Sequence, residues 1–431
     1  MSAVLQRTRF SALIEWLGVG LAVGAVTGSA SAFFLASLDA ATAFRSRHEA
    51  IVFGLPVAGL LIGHVYERMG RSIKAGNNLV IDTIHDHGPE IPLRMAPMVL
   101  FGTVLTHLFG GSAGREGTAV QMGASLSDFL AHRLGLAGRL RSEILAAGVA
   151  GGFGSVFGTP IAGAVFGLEF VVRGRVEYRA LVPALVAAVS GDMVTRALGI
   201  EHTPYPAAPP LALSVAVLAK WLVFAAAVAL ASAAFIELSH ALKRLGERYL
   251  PRLGLRMCAG GALVVLGWQL CGTSDYLGLG VPTIVRSFSD PSLPPYAFVA
   301  KLGFTALTLG AGFLGGEVTP LFFIGAALGN TLAPLLGLPL ALCAGIGMSA
   351  VFATAASTPL ALSIMAVELL GAHVLPHVVI VTSLAFVLVG QRGIYPAQRL
   401  VRQESGAELA LRDAKRPAPG HDQGGGGPGS S

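Results

Sequence analysis

The sequence predicts an all-α, polytopic membrane protein built from two repeated halves, with broken and re-entrant helices in place of a simple row of spans. Three observations carry this. Of 431 residues, 53% are apolar and 13% charged, and mean hydropathy is +0.68; a soluble domain is about a quarter charged. Many apolar runs are shorter than the roughly 20 residues a bilayer requires, or are interrupted by Gly and Pro. The same residues recur in the same register in both halves.

The remaining composition narrows the function classes. Thirty Lys and Arg against 24 Asp and Glu give a net charge of +6. The excess base lies in loops and tail, which reads as positive-inside topology and not as nucleic-acid binding. No signal peptide is expected, because the first apolar run is too long and lacks a clear cleavage site. Cys258, Cys271 and Cys343 have no metal-ligand spacing and read as packing residues. His85, Asp86 and His87 read as a solvated turn, and no metal or cofactor is expected. No Ser/His pair or His-Glu-x-x-His pattern lies in the apolar spans, so an intramembrane enzyme is not expected.

Taken in order, Arg7 and Arg9 place residues 1–9 on the cytoplasmic side. Residues 10–43 are long enough for a tilted first span. A second run at 51–65 precedes Arg68, Arg71 and Lys74, a cytoplasmic loop. The piece from Asn77 to His85 is too short to span and reads as a half-helix capped by asparagine. Apolar runs follow at 94–108 and, past Glu116, to about residue 130. Residues 144–172 are interrupted by Thr159-Pro160, and 181–198 form another span. The Pro-rich stretch 201–210 carries no Lys or Arg and reads as an outside linker. The second half begins with a long run at 213–242, followed by a basic loop. Further runs lie at 260–270, 296–313, 321–335, 339–352, 359–370 and 378–390. The expected organisation is a first membrane repeat over 10–200, a linker over 201–211, a second repeat over 212–400, and a disordered cytoplasmic tail over 401–431.

Residues 111–125 read G-S-A-G-R-E-G-T-A-V-Q-M-G-A-S. An intramembrane carboxylate such as Glu116 is a functional candidate by default. The glycines around it allow the backbone to break and approach a ligand. Taken alone, the stretch also reads as a glycine-rich surface loop. The repeat argues against that. Gly114-Arg115-Glu116-Gly117-Thr118 matches Gly315-Gly316-Glu317-Val318-Thr319 as G-x-E-x-T. Thr159-Pro160-Ile161-Ala162 matches Thr358-Pro359-Leu360-Ala361, and Glu169 and Glu368 each lie ten residues past their Thr. Paired broken segments in two halves point to a transporter with its site at the repeat interface. Helix starts at Asn77, Glu116 and Val318 would present unpaired N–H groups and positive dipole ends to an anion. Glu116 could occupy that place when ionised and leave it when protonated.

These residues resemble the CLC family of chloride channels and proton antiporters. G-R-E-G-T is similar to the family's G-R-E-G-P, so its gating glutamate falls on Glu116. The family's G-x-F-x-P falls on Gly316 to Pro320, degenerate at the phenylalanine beside Thr319 and carrying an extra acid, Glu317. G-S-G-I-P falls on Gly76-Asn77-Asn78-Leu79-Val80, replacing the anion-coordinating serine by Asn77. The late tyrosine falls on Tyr395. The family's inner proton-transfer glutamate falls on Phe170, next to Glu169. These departures resemble the bacterial CLC-F branch of fluoride/proton antiporters, over residues 10–400.

The resemblance implies a CLC-type inverted repeat and a homodimer with one pore per subunit. It implies exchange of fluoride for protons across the bacterial inner membrane, with lipid and the two ions as the only further partners. Glu116 would be the proton-coupling glutamate. Asn77, Asn78, Arg115, Gly117, Thr118, Glu317, Val318, Thr319 and Tyr395 would surround the anion. Arg115 reads as more structural than anion-binding. Glu169, Glu368 and His107 read as structural. A chloride/proton antiporter or passive chloride channel is the alternative within the family. No regulatory domain is expected after Tyr395.

Overall fold

The computed structural model describes residues 2–86, 88 and 90–400; the expected tail at 401–431 lies outside them. The first half comprises α1 (Ser2–Arg47), α2 (Leu55–Met69), α3 (Asn77–Asp86), α4 (Met95–Leu108), α5 (Glu116–Arg133), α6 (Gly138–Phe157), α7 (Pro160–Glu169) and α8 (Leu181–Ala197). The second comprises α9 (Val215–Tyr249), α10 (Leu253–Cys271), α11 (Val281–Arg286), α12 (Ala297–Gly310), α13 (Val318–Leu336), α14 (Leu340–Ala356), α15 (Pro359–Leu370) and α16 (Leu375–Val389). Each half opens on a long helix, then a helix of bilayer length, a short helix, and a medium helix ending just before the Gly-rich break. A hairpin, a Thr-Pro half-helix and a closing helix follow.

Among the described residues, seven helical stretches are long and apolar enough to cross a membrane, including Ile14–Arg47, Val215–Tyr249 and Val318–Leu336. The chain is a multi-pass membrane protein. The 34 residues of Ile14–Arg47 would span about 51 Å at 1.5 Å per residue, so that helix must tilt in a ~30 Å core. By contrast, α7 has 10 residues and reaches about 15 Å, half a bilayer.

Several boundaries differ from the sequence reading. Helix α1 is already formed at Ser2, so residues 2–9 are continuous with the first span. Asn77 is the first residue of α3 and not its cap; Gly76 precedes it at φ +57°. The linker runs on to Ser214, whose hydroxyl accepts from Val217 N at 3.2 Å and caps α9.

Backbone contact holds each hairpin together. Gly123 of α5 lies against the Gly148 carbonyl of α6, and Gly325 of α13 against that of Gly347 in α14; neither position has room for a Cβ. Close approach through small residues replaces the hydrophobic drive that lipid does not supply. The hairpins then end alike. Gly158 (φ +71°) and Ser357 (φ +59°) both turn left-handed before Thr-Pro, and Ser357 is the one non-glycine with positive φ among the described residues.

The two Thr-Pro half-helices clamp each other reciprocally. Glu169, ending α7, accepts from Leu360 N (3.1 Å) and Ala361 N (2.8 Å) at the start of α15. Glu368, near the end of α15, accepts from Ile161 N (3.0 Å) and Ala162 N (2.7 Å) at the start of α7. Proline at the first turn already removes one N–H; the carboxylate of the other half takes two more and meets a positive dipole end. This is what the repeated spacing from Thr to Glu accomplishes.

The segment after α16 is stitched back across the first half. Arg173 Nη2 donates to Gly390 O (2.6 Å) and Arg392 O (2.7 Å). Gln398 Nε2 donates to Phe170 O (2.9 Å) and Ala356 O (2.8 Å). The two-residue strands β1 (Val172–Arg173) and β2 (Arg399–Leu400) pair in parallel. These ties fix the position of Tyr395.

Removing either clamp carboxylate strands two helix-start N–H groups, buried or part-buried on the Glu169 side and more exposed on the Glu368 side. Glu169→Ala and Glu368→Ala should each lower stability by about 1–3 kcal/mol, read as a lower midpoint of thermal unfolding in detergent. Unchanged midpoints for both would remove the clamp from the stability account.

Candidate functional site

Three helices begin at the residues where the sequence places half-helix starts: α3 at Asn77, α5 at Glu116 and α13 at Val318. They meet across an antiparallel bridge between Gly114 and Gly316. Gly114 N donates to Gly316 O (2.5 Å), and Gly316 N to Gly114 O (2.8 Å). The two breaks are thus each other's hydrogen-bond partners, which is how irregular backbone is satisfied at membrane depth. A Cβ on Gly316 would lie 2.6 Å from Gly117 N, so the crossing admits only glycine there.

Glu116 is fully buried. Its carboxylate does not point along its own helix but sits on the start of α13. Oε2 accepts from Thr319 N (3.1 Å), and Oε1 accepts from the Thr319 hydroxyl (2.5 Å). Oε2 also accepts from Arg115 N (3.2 Å). The Arg115 guanidinium is 3.4 Å away, Nε to Oε1. The carboxyl group thus rests on a backbone N–H, a hydroxyl and the start of a helix, a setting whose dipole end favours negative charge.

The other side of the crossing gathers at Gly117. A Cβ there would lie 3.0 Å from Gly316 Cα, 3.1 Å from Glu317 Oε2 and 3.2 Å from Asn77 Nδ2. Asn77, Gly117 and Glu317 therefore share one small space, and the buried Tyr395 lies near Asn77 and Glu317. Asn77 Oδ1 is buried without a partner. Asn78 is engaged elsewhere: its Oδ1 accepts from Ala397 N (3.0 Å) and anchors the Tyr395 segment. The Thr118 hydroxyl is 2.7 Å from that of Thr103 on α4. Val318 contributes its place as the first residue of α13.

Two cavities approach this centre from opposite sides. One of about 380 Å³ is lined by Arg115 together with Arg45, Asp39 and Thr203. The other, about 460 Å³, is lined by Gly76, Thr103, Thr118 and Gly315, and by the basic residues Arg71, Lys74, Lys243 and Arg256. Arg115 and Thr118 are less than one helical turn apart in sequence and face different cavities. Glu116, between them in sequence, lines neither cavity.

Three further features support the centre. His107 bridges Thr103 O (2.8 Å) and Ala113 O (2.9 Å), holding the Gly-rich break against α4; the sequence reading of a satisfied core histidine describes this contact. Lys301, fully buried on α12, donates to Tyr276 O (3.1 Å) and Gly278 O (2.6 Å) and lies over the Phe323 ring. An aromatic series links Phe153, Phe166, Phe170 and Tyr395, with Phe170 meeting Tyr395 edge-on at 5.1 Å. Phe170 is therefore a packing neighbour of Tyr395. No cluster of His, Cys, Asp or Glu suited to a metal ion occurs among the described residues.

Comparison with known proteins identifies the family and the fold. The family profile described as "Voltage gated chloride channel" matches residues 58–390. A "Chloride/fluoride channel protein" of Pseudomonas syringae pv. tomato is 48% identical over 398 residues, covering 90% of this chain and 87% of the relative. An "H(+)/Cl(-) exchange transporter ClcA" of Vibrio cholerae is 26% identical over 349 residues, 76% of this chain and 73% of the relative. Among solved structures, a "CLC-type fluoride/proton antiporter" superposes with a TM-score of 0.86 at 37% identity, covering 90% of this chain and 98% of that one. A "slow cyanobacterial Cl-/H+ antiporter" gives 0.78 at 19% identity over 93% of this chain and 98% of that one, a likeness of fold. With a profile matched over most of its length and a relative at nearly half identity, the chain belongs to the voltage gated chloride channel (CLC) family.

Proposed function

We propose that the chain is a secondary transporter that exchanges fluoride for protons across the bacterial inner membrane, exporting fluoride, and that it works as a homodimer with one pore per subunit. The observation that carries the reading is the Glu116 carboxylate seated on Thr319 N and Oγ1, between two cavities. While ionised, Glu116 fills the seat and separates the cavities. Protonation removes the charge that the helix start attracts, the side chain leaves, and an anion takes its place. The anion and the proton-free carboxylate compete for one seat, so anion and proton binding favour each other; that linkage is reciprocal.

Fluoride is favoured over chloride by the chemistry gathered at Gly117. A small, strongly hydrated anion needs donors that replace its lost water. The Asn77 amide, the Tyr395 hydroxyl and the Thr319 hydroxyl supply them. Glu317, when protonated, would add another donor and, when ionised, would repel the anion. Arg115 lies at the edge of the first cavity, and Thr118 with Thr103 at the floor of the second. Asn78 holds the tyrosine segment through its Oδ1, which leaves its role toward the anion to its amide N–H2. The relative and the solved structure whose names include fluoride support the same choice. The family alternative is chloride/proton exchange or passive chloride conduction, and the word "channel" in the relative's name is its support.

Reconstituted in liposomes, the chain should drive proton movement against its gradient when a fluoride gradient is imposed, and should move fluoride at least about tenfold faster than chloride, the equivalent of about 1.4 kcal/mol. Equal or faster chloride flux would reject the fluoride assignment, and fluoride flux without proton movement would make it a channel. Glu116→Gln should abolish fluoride-driven proton movement; retained coupling would take Glu116 out of the mechanism. Thr319→Val removes the donor hydroxyl while keeping the β-branched shape. It should slow fluoride exchange by about tenfold or more, since a hydrogen bond to a charged group contributes about 1.5–3 kcal/mol, measured as the initial efflux rate.

A further inference from the structure

The larger cavity contains polar groups that the exchange at Glu116 does not use. Tyr66, on α2, is 8% exposed, and its hydroxyl is buried with no hydrogen-bond partner. The ring forms a wall between two spaces. On one side is the 460 Å³ vestibule. On the other is a groove between α2 and α4 lined by apolar side chains such as Val57, Leu61 and Phe101. The groove offers nothing to a hydroxyl, and the vestibule is the polar one of the two spaces that Tyr66 borders. An unpaired hydroxyl in such a place costs about 1–3 kcal/mol.

Arg256 lines the same vestibule. It is 4% exposed on α10, and its Nε donates to Ala311 O at 3.1 Å. The nearest carboxylate is that of Glu247, 4.0 Å from Nη1 and on the exposed rim. Arg71, Lys74 and Lys243 complete the lining. The wall thus carries four cations against one acid, and it narrows to Thr103 and Thr118 at the centre. A buried guanidinium, a buried donor hydroxyl without a partner, and a basic rim form one electropositive cup on the route to the seat of Glu116.

We propose that this vestibule contains a loading site for a small monovalent anion, in which the Tyr66 hydroxyl donates to the anion and Arg256 supplies the charge, with Glu247 competing for Arg256. The proposal rests on the reading that the chain carries a small anion. The loading site holds that anion short of the Thr103–Thr118 pair, on the side where Lys and Arg are concentrated. By positive-inside topology that side is the cytoplasm. An exporter that must capture a dilute ion from inside gains from such a site, because the local anion concentration rises before the slower exchange at the centre.

The test is the dependence of initial anion efflux on internal sodium fluoride in liposomes containing the full chain. Tyr66→Phe should raise the half-saturating concentration by about three- to tenfold, a shift larger than any change in maximal rate. Glu247→Gln should move it the opposite way, lowering it by about two- to threefold as the competing acid is neutralised. A general folding defect would produce neither signature, since both variants would then lose maximal rate. Half-saturation unchanged in both variants would mean that water alone satisfies Tyr66, and would overturn the proposal. Competitive inhibition by inorganic phosphate that Arg256→Gln relieves, without any effect of Tyr66→Phe on fluoride, would overturn it in favour of a polyvalent ligand. Failure of the fluoride reading is separately visible as a chloride preference in the unmodified chain; the same titrations are then run with sodium chloride, and the opposite shifts of the two variants still decide.

Discussion

The structure depends on one buried carboxylate that is satisfied by the other half of the molecule. A charge at membrane depth costs about 2.5–3.5 kcal/mol even on the mildest scales. Glu116 meets that cost by leaving its own helix and sitting on the start of α13, with Thr319 supplying both a backbone N–H and a hydroxyl. For that reach to be possible the two Gly-rich breaks must touch, which the Gly114–Gly316 bridge achieves. Glycine at 316 follows, because Gly117 N leaves no room for a Cβ there, and a Cβ at 117 would crowd Gly316 and the side chains of Asn77 and Glu317. The place that the carboxylate occupies combines a backbone N–H, a hydroxyl and a helix end with the Arg115 guanidinium 3.4 Å away.

The same solution is used twice. At the far ends of the Thr-Pro half-helices, Glu169 and Glu368 each take two N–H groups from the opposite half. Here both carboxylates are held symmetrically and the contact is a fastener. At the Gly-rich break the symmetry is incomplete: Glu116 crosses to α13, while its repeat counterpart Glu317 turns toward Gly117 and Asn77. An exact repeat would place two equivalent acids in equivalent seats. The asymmetry leaves one acid as the occupant of a seat and the other beside the small space around Asn77. It also bears on Phe170. The position packs against Tyr395 in an aromatic series, while the neighbouring Glu169 is fully committed to the clamp.

Much of this was legible in the sequence because the repeat is chemical as well as hydrophobic. G-x-E-x-T and Thr-Pro with a Glu ten residues on located the breaks, the half-helices and the acid at the crossing. The short run at Asn77 was readable as a half-helix because it is too short to span. Other features were out of reach for physical reasons. Which residue opens α3 depends on Gly76 turning left-handed, which one residue's identity does not fix. Asn78 reads as a second amide for the anion, and its Oδ1 also accepts from Ala397 N, a contact between residues 319 positions apart that no sequence spacing indicates. Lys301 and Tyr66 sit in ordinary apolar helices, and only the tertiary arrangement places their polar ends on carbonyls or a vestibule. The reciprocal clamp was visible as a spacing but not as a contact, since a repeat does not say which half each carboxylate serves.

The central claim is that Glu116 and the transported anion compete for one seat on α13. Calorimetric titration of sodium fluoride into the purified protein, with and without Glu116→Ala, tests it directly. Near neutral pH the variant should bind fluoride more tightly than the unmodified chain, because its seat is vacant. The difference should shrink as acid protonates Glu116 and frees the seat in the unmodified chain as well. Identical isotherms at every pH would contradict the account, since the carboxylate would then occupy a place that the anion never uses.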